Sequence, residues 1–207
     1  MTYTPTNWVD GSTPLNRANM MKIENELALL DGPSGASLPT PLSTTLPGSP
    51  VDGQEVILVN SLTAATWFWR VRYTAGLSSA YKWVCVGGSP VIAGDLPSKG
   101  MVGAWTAYLP TLTAPFAGIY RVAASATITI PGATPSIVAV SYTLNGAMGF
   151  NTNQGVGVCS AANSLSCSFN PTPITLAAGD SVGVGAYTGV AANMTLAWVS
   201  LEPQQIG

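Results

Sequence analysis

Residues 122–179 contain no Asp, Glu, Lys or Arg, although this stretch alternates between apolar and polar residues as β-strands do. Charged side chains normally keep strand edges and sheet faces from associating with one another. A strand-rich surface without charge is typical of a sheet that is covered by other copies of the same chain. We therefore expect a self-associating structural protein.

The overall composition agrees with this expectation and excludes several classes of partner. Charged residues make up 8% of the 207 residues, against about 25% in an ordinary soluble domain. The formal net charge is −2, whereas a nucleic-acid-binding protein needs clustered Lys and Arg to displace counterions from phosphates. No apolar run approaches the roughly 20 residues of a membrane span, and the first eight residues do not resemble a signal peptide. We expect no nucleic-acid partner, no membrane association, and synthesis in a cytoplasm.

The chain has three cysteines, Cys85, Cys159 and Cys167, and no histidine. An odd number leaves at least one free thiol, and the sequence leaves open whether Cys159 and Cys167 pair or all three are reduced. Zinc sites use Cys together with His or further Cys at short spacing. We expect neither a metal site nor a cofactor.

Residues 1–33 predict an extended arm followed by one helix. Thr13 is a suitable N-cap, Pro14 fits the first helical position, and Gly32 with Pro33 ends the helix. The helix should run from about residue 14 to residue 30.

Apolar residues repeat along this helix at coiled-coil spacing. Two interpretations remain: a helix packed on its own domain, or a helix packed on copies of itself or on a docking partner. The aromatic residues of the arm have too little neighbouring sequence to form a core, so we expect them to fill a pocket on another subunit or protein. The residues assigned to docking are Tyr3, Trp8 and Leu15, and those assigned to helix self-association or docking are Met20, Ile23, Leu27 and Leu30.

Residues 34–97 predict a proline-rich linker followed by a small antiparallel β-meander, with strands over 54–59, 66–73 and 80–86. Trp67, Trp69 and Tyr73 alternate to one face of the second strand, and Trp83 does so on the third. This aromatic set is either the core of the module or an exposed platform for sugar stacking. We favour the core, because the module has few other large apolar residues.

Residues 98–207 predict the largest unit, an antiparallel sandwich of many strands without helices between them. Strands are expected over 119–130, 136–144, 173–177, 182–187 and 194–201. Asn145-Gly146 is a turn dipeptide that accepts positive φ, and a second turn is expected at Gly179-Asp180. The fold class expected for the whole chain is mainly β, with an arm, a short helix, a small meander and a C-terminal sandwich.

Four segments of this last unit resemble the C1q/TNF-like jelly roll in its compact phage form. They are 116–122 (FAGIYRV), 142–146 (YTLNG), 174–184 (ITLAAGDSVGV) and 196–201 (LAWVSL). The resemblance implies a homotrimer with chargeless strands at the threefold axis, although the calcium-ligand clusters of some relatives have no counterpart. We place the trimer interface within 119–144 and 174–201, and the residues assigned to it are Tyr120, Val140, Tyr142, Val184 and Trp198.

Other segments are similar to virion fibre, decoration and minor tail proteins of tailed bacteriophages, especially those of actinobacteria. They are 6–16 (TNWVDGSTPLN), 20–24 (MMKIE), 46–56 (LPGSPVDGQEV) and 81–88 (YKWVCVGG). This resemblance implies a protein made in the host bacterial cytoplasm and placed on the virion surface as a capsid decoration, head fibre or tail fibre. It also implies contact with major capsid or tail proteins and adhesion to a bacterial cell-surface glycan.

Two other functions remain as alternatives: a secreted or cellular C1q-like carbohydrate-binding protein, and an enzyme that degrades cell-wall glycan. Without His, the common general base is missing. A pair of carboxylates could still hydrolyse a glycosidic bond, but the nine acidic residues are scattered, mostly at turns and on the helix. We assign no catalytic residue, and the sequence assigns no receptor-binding residue.

Overall fold

The computed structural model describes residues 40–207 apart from 96–98, 102–104 and 149–154. The predicted arm and helix of residues 1–33 lie outside these residues. Pro41–Gly207 form one compact unit. It is mainly β with antiparallel sheets, as expected, and its described residues include no helix.

The described residues form fourteen strands. They are β1 (Leu42–Ser43), β2 (Glu55–Val59), β3 (Phe68–Tyr73), β4 (Trp83–Gly88), β5 (Val91–Asp95), β6 (Lys99–Met101), β7 (Thr106–Thr113), β8 (Gly118–Ile130), β9 (Ser136–Leu144), β10 (Ala147–Met148), β11 (Gly155–Cys159), β12 (Asn163–Leu176), β13 (Ser181–Thr188) and β14 (Ala192–Ile206).

These strands form two sheets. The larger sheet has the order β1-β2-β3-β4-β14-β8-β12, with β5 and β6 also paired to β14. The smaller sheet has the order β10-β9-β13-β7, with β11 also paired to β9. All pairings are antiparallel except that of β1 with β2.

The long strand β14 organises the larger sheet. One edge of it pairs with β8 along most of its length. Its other edge pairs in turn with β6 at Ala192–Met194, with β5 at 197–201, and with β4 at Gln205 and Ile206. The meander and the C-terminal strands, which the sequence analysis treats as separate parts, are therefore joined within one sheet.

The inner faces of the two sheets share one apolar core. Along β8, Tyr120, Val122, Ala124, Ala126, Ile128 and Ile130 are buried, which confirms the predicted alternation. Tyr142 of the smaller sheet packs edge-on against Phe169 of the larger one, with ring centroids 5.4 Å apart.

The aromatic residues of the meander belong to this core. Trp69 is 1% exposed, stacks on Trp67 with ring centroids 4.2 Å apart, and meets Tyr120 edge-on. Its indole N–H donates to the carbonyl of Ser89 at 3.1 Å. Trp83 is buried as well. The prediction of a core is confirmed, and Trp69 and Trp83 are not an exposed sugar platform.

Both predicted turns are confirmed. Asn145 and Gly146 adopt φ values of 51° and 77°, and Gly179 adopts 91°. The two turns are tied together, because the Asn145 side-chain amide donates to Asp180 Oδ1 at 2.9 Å while Asn145 Oδ1 accepts the N–H of Ser181 at 2.8 Å. The hydrogen bond from Asn145, followed by that from the N–H of Ala177, lowers the pKa of the Asp180 carboxyl. Turn formation therefore accounts for this acidic residue.

The region between these turns was predicted wrongly. The sequence predicts no strand between residues 144 and 173, whereas this region contains β10, β11 and the first ten residues of β12. Strand β11 has the sequence GVGVC, and its glycines face inward. A Cβ at Gly155 would collide with the backbone of Ser168, and one at Gly157 with the side chain of Leu165. Glycine is what allows β11 to lie this close to β12.

Candidate binding surfaces

The residues predicted for a trimer interface do not form one surface. Tyr120, Val140 and Val184 are fully buried within the single chain, so they leave no side-chain area for another copy to contact. Tyr142 is half-buried and packs inward on Phe169. Trp198 alone is half-buried on an outer face, that of the larger sheet, beside Ser125. The assignment of the first three residues is corrected: they are core residues of the protomer.

A different apolar surface lies on the outer face of the smaller sheet. Val156 and Val158 of β11 are 63% and 68% exposed, and Ile137 of β9 is 54% exposed. Val158 and Ile137 are direct cross-strand partners. We call these three residues the β9–β11 patch. In a half-buried strand the large apolar side chains normally point to the core. Here the valines of β11 point to solvent, so their apolar surface is free for association with another molecule.

Beyond Arg121, the outer face of the larger sheet carries no charged residue along β8 and β12, and it has paired hydroxyl groups. Thr129 and Ser164 are joined at 2.6 Å, Thr127 and Ser166 at 2.8 Å. A third hydroxyl pair joins Ser125 and Ser168 at 3.1 Å. Since these hydroxyl groups bond to one another across the strands, they stabilise the pairing of β8 with β12.

A cleft opens where β14 changes its pairing partner. Leu201 pairs with Val91 of β5, and Gln205 is the next residue of this edge to have a partner, Val84 of β4. Residues 202–204 therefore have no strand partner on this side. The cleft encloses about 590 Å³, within the range of about 300–1,000 Å³ typical of small-molecule sites. It is lined by Trp69, residues 84–89 and residues 202–205.

Four side chains of this cleft carry oxygen atoms that can form hydrogen bonds. Glu202 contributes a carboxylate, Gln204 and Gln205 contribute amides, and Ser89 contributes a hydroxyl. The Oε1 atom of Gln205 is buried and meets no hydrogen-bond donor among the described residues. A buried acceptor without a donor costs about 1–3 kcal/mol. Glu202 is the only ionisable carboxylate of the lining, so the pair of carboxylates that glycoside hydrolysis requires is not found there.

Cys85 also lines the cleft and is the most accessible of the three cysteines. The structure shows all three as free thiols, with Cys159 and Cys167 buried and Cys85 half-buried. Burial raises the pKa of the Cys85 thiol, a hydrogen bond to the carbonyl of Gly87 lowers it, and the nearby charge of Glu202 raises it further. Because Cys85 lines the cleft, the reactivity of its thiol can be used to detect occupancy of the cleft.

Gly88 fixes the course of β4 beside the cleft. Its φ is 119°, and a Cβ there would collide with the backbone of Phe68 and Trp69. Only glycine fits this conformation without strain. The backbone conformation at Gly88 therefore determines where β4 runs along the cleft.

The described part of the chain contains neither a metal-ligand cluster nor a membrane-spanning helix. Its side chains include no cluster of three or more His, Cys, Asp or Glu that could hold a metal ion. No helix among these residues is long and apolar enough to cross a membrane.

Comparison with known proteins gives no family. No protein-family model matches the chain, and no curated protein shows significant similarity to it. Among solved structures, one chain of the infectious bursal disease virus Gx strain overlaps 68% of this chain and 45% of its own length, with 10% identity and a TM-score of 0.31. An exo-β-1,3-galactanase from Phanerochaete chrysosporium, solved with galactose, overlaps 64% and 36%, with 14% identity and a TM-score of 0.25.

This chain thus spans less than half the length of both structures. TM-scores this low do not show a common fold.

Sequence reasoning missed both the β9–β11 patch and the cleft. The alternation of glycine with valine in β11 was a usable signal, since a strand must place one of the two sets outward. The cleft gave a weaker signal. Pro203 within a strand marks an irregularity, but the change of partner along β14 depends on residues more than 100 positions away.

Proposed function

We propose that this chain is a non-enzymatic structural protein on the surface of a tailed-phage virion. It acts as a homotrimeric capsid decoration, head fibre or tail fibre. The N-terminal arm and helix anchor it to major capsid or tail proteins, and the β-sandwich projects outward, where it decorates the particle and adheres to the host surface. The observation that carries this proposal is the charge-free region of residues 122–179, whose described residues include strands that leave apolar side chains exposed.

The β9–β11 patch supports assembly in particular. Its residues, Ile137, Val156 and Val158, are the outward residues of neighbouring strands, and residues 122–179 contain no charged residue that would keep another copy away. A protein that functioned as a free monomer would carry charged side chains beside such a patch, because they prevent association of exposed apolar strands. We propose that this patch replaces the buried residues of the original assignment as part of the contact between copies.

A non-enzymatic role is favoured by the chemistry of the described side chains. The chain has no His, and Asp180 and Glu55, two of its acidic residues, are occupied by turn and ion-pair contacts. Catalysis by a carboxylate pair would require a second acid close to Glu202, and none lines the cleft.

The proposal is tested on purified phage particles. Antibody against residues 41–207, coupled to gold, should label intact virions at repeated, symmetry-related positions, and mass spectrometry of the same particles should detect the chain. Particles disrupted and stripped of surface proteins serve as the control, because labelling should then be lost from the shell and recovered in the released fraction. Absence of the chain from purified particles would refute the proposal.

A further inference from the structure

We propose that the cleft between β4 and β14 binds a saccharide in ring form. Its ligand would be a neutral or amino sugar that reaches Gln205 Oε1 and the Glu202 carboxylate through hydroxyl or amine groups. This inference deepens the proposed function, on which it rests for its biological setting, by giving host-surface adhesion a site.

The hydrogen-bonding character of the lining favours such a ligand. The buried Oε1 of Gln205 meets no donor among the described residues, and the Glu202 carboxylate provides two further acceptor atoms nearby. Ligand hydroxyl groups can donate to the Glu202 carboxylate and, when the Gln205 side chain turns its buried Oε1 toward the cleft, to that atom as well. They can also accept from the amide groups of Gln204 and Gln205. A sugar offers several such groups on one rigid ring.

The charge of the lining favours neutral or cationic ligands over anions. The residues of the cleft include one carboxylate and no Lys or Arg. A phosphate or carboxylate ligand would therefore meet the Glu202 carboxylate inside the cleft, whereas the nearest cation on the neighbouring strand, Arg121, lies outside the lining.

The shape of the cleft favours a compact ligand over an extended peptide. On the β14 side only residues 202–204 lack a strand partner, whereas a strand in a folded protein is usually about 5–6 residues long. A peptide strand could form few ladder hydrogen bonds here. The volume of about 590 Å³ is enough for one or two sugar rings.

The site is held in place by the fold. Trp69 forms an apolar wall, fixed by its stacking on Trp67 and by the hydrogen bond of its indole N–H to Ser89. The position of Gly88 allows no other residue without a collision. Rigid walls of this kind reduce the entropy lost when a ligand binds.

Protection of Cys85 from alkylation is a direct test. Iodoacetamide should label Cys85 in the native chain, since Cys159 and Cys167 are buried, and Cys85→Ser should abolish that labelling. Glucose, galactose, rhamnose and N-acetylglucosamine are added separately at millimolar concentrations, and sorbitol serves as an open-chain control. We expect at least one sugar to slow labelling several-fold, and sorbitol to have no effect.

Two variants separate binding from folding. Gln205→Leu should abolish the protection without lowering the melting temperature, because it removes a buried acceptor that has no donor. Asn193→Leu is the matched control, since it changes an amide on the same strand outside the cleft, and protection should persist. Glu202→Gln should weaken the protection several-fold.

Three outcomes would overturn the inference. Equal labelling in every sugar would do so, as would protection that survives Gln205→Leu. Protection lost in Trp198→Ala but kept in the cleft variants would place the sugar on the outer face of the larger sheet instead. These results are independent of virion labelling: a chain found on particles without sugar protection leaves the proposed function standing and refutes the cleft alone.

Discussion

At the scale of single residues, the most informative side chain is Trp69, because it belongs both to the core and to the wall of the cleft. It is buried, packs on Trp67 and Tyr120, and uses its indole N–H in a hydrogen bond. The sequence placed it on the apolar face of its strand, and the structure shows how that face is covered.

Replacing Trp69 with Ala should destabilise the protein by about 3–5 kcal/mol, because the change leaves a large cavity and an unpaired carbonyl at Ser89. The matched variant Trp67→Ala should cost less, since Trp67 is only half-buried. Denaturant unfolding followed by circular dichroism measures both. Equal losses in the two variants would contradict the assignment of Trp69 to the core.

A second residue-scale prediction concerns acid stability. Glu55 lies between Arg72 and Arg70, at 2.6 Å and 2.5 Å, and these cations lower the pKa of its carboxyl from the ordinary value of 4.5. A lowered folded-state pKa contributes stability that is complete above the unfolded-state pKa and is lost as the pH falls through the folded-state pKa. Stability should therefore decline below about pH 4.5.

Glu55→Gln should remove this contribution and flatten the decline. Its cost at neutral pH should be at most about 1 kcal/mol, since both arginines are half exposed to solvent. Melting temperatures measured across the acid range provide the test. Identical acid limbs in the variant and the parent would show that the pair contributes nothing.

At the scale of elements, β8 and β9 were predictable, whereas the direction in which the valines of β11 point was not. Strands β8 and β9 alternate large apolar with small or polar residues, and the Asn145-Gly146 turn marks the end of β9. Strand β11 inverts the rule by placing glycine inside and valine outside. The glycines point inward because β11 lies close to β12. The alternation of residues within β11 alone does not show which neighbouring strand lies against it.

The β9–β11 patch provides an element-scale prediction. Val158→Lys should dissociate the assembly while leaving the melting temperature of the protomer nearly unchanged, because Val158 is exposed and a charge opposes pairing of apolar faces. Val51→Lys, the same substitution at an exposed valine outside residues 122–179, is the matched control and should leave the assembly intact. Sedimentation velocity distinguishes the two. Dissociation by both variants, or by neither, would argue against the patch.

The glycines of the same strand should show the opposite behaviour. Gly157→Ala places a methyl group against Leu165 and should destabilise the protomer by about 1–3 kcal/mol, as overpacking does. Thermal unfolding tests this effect, and a melting temperature equal to that of the parent would show that β11 can shift away from β12.

At the scale of the whole molecule, the sequence identified the class of fold but not its connectivity. The alternating strands and the lack of helical periodicity after residue 33 predicted a mainly β protein. The division at residues 97 and 98 did not anticipate that β14 pairs with strands from both parts. The cleft arises from this pairing. It could not be predicted from local pattern, because its two walls come from segments far apart in sequence.

The anchoring role of the arm gives a prediction at this scale. Deletion of residues 1–33 should abolish incorporation into particles and leave the sandwich folded, because Pro41–Gly207 have their own core. Trp8→Ala should weaken incorporation, as loss of a buried aromatic anchor typically costs about 2 kcal/mol or more. Quantitative blotting of purified particles measures both, and normal incorporation of the truncated chain would exclude the arm as the anchor.

The central claim is that the uncharged strands of this chain are covered by other copies of itself. The mass of the full chain in solution, measured by light scattering coupled to size-exclusion chromatography at micromolar concentration, tests it most directly. The account predicts a stable trimer with three times the chain mass of 21.2 kDa. A soluble monomer of 21.2 kDa under the same conditions would contradict it.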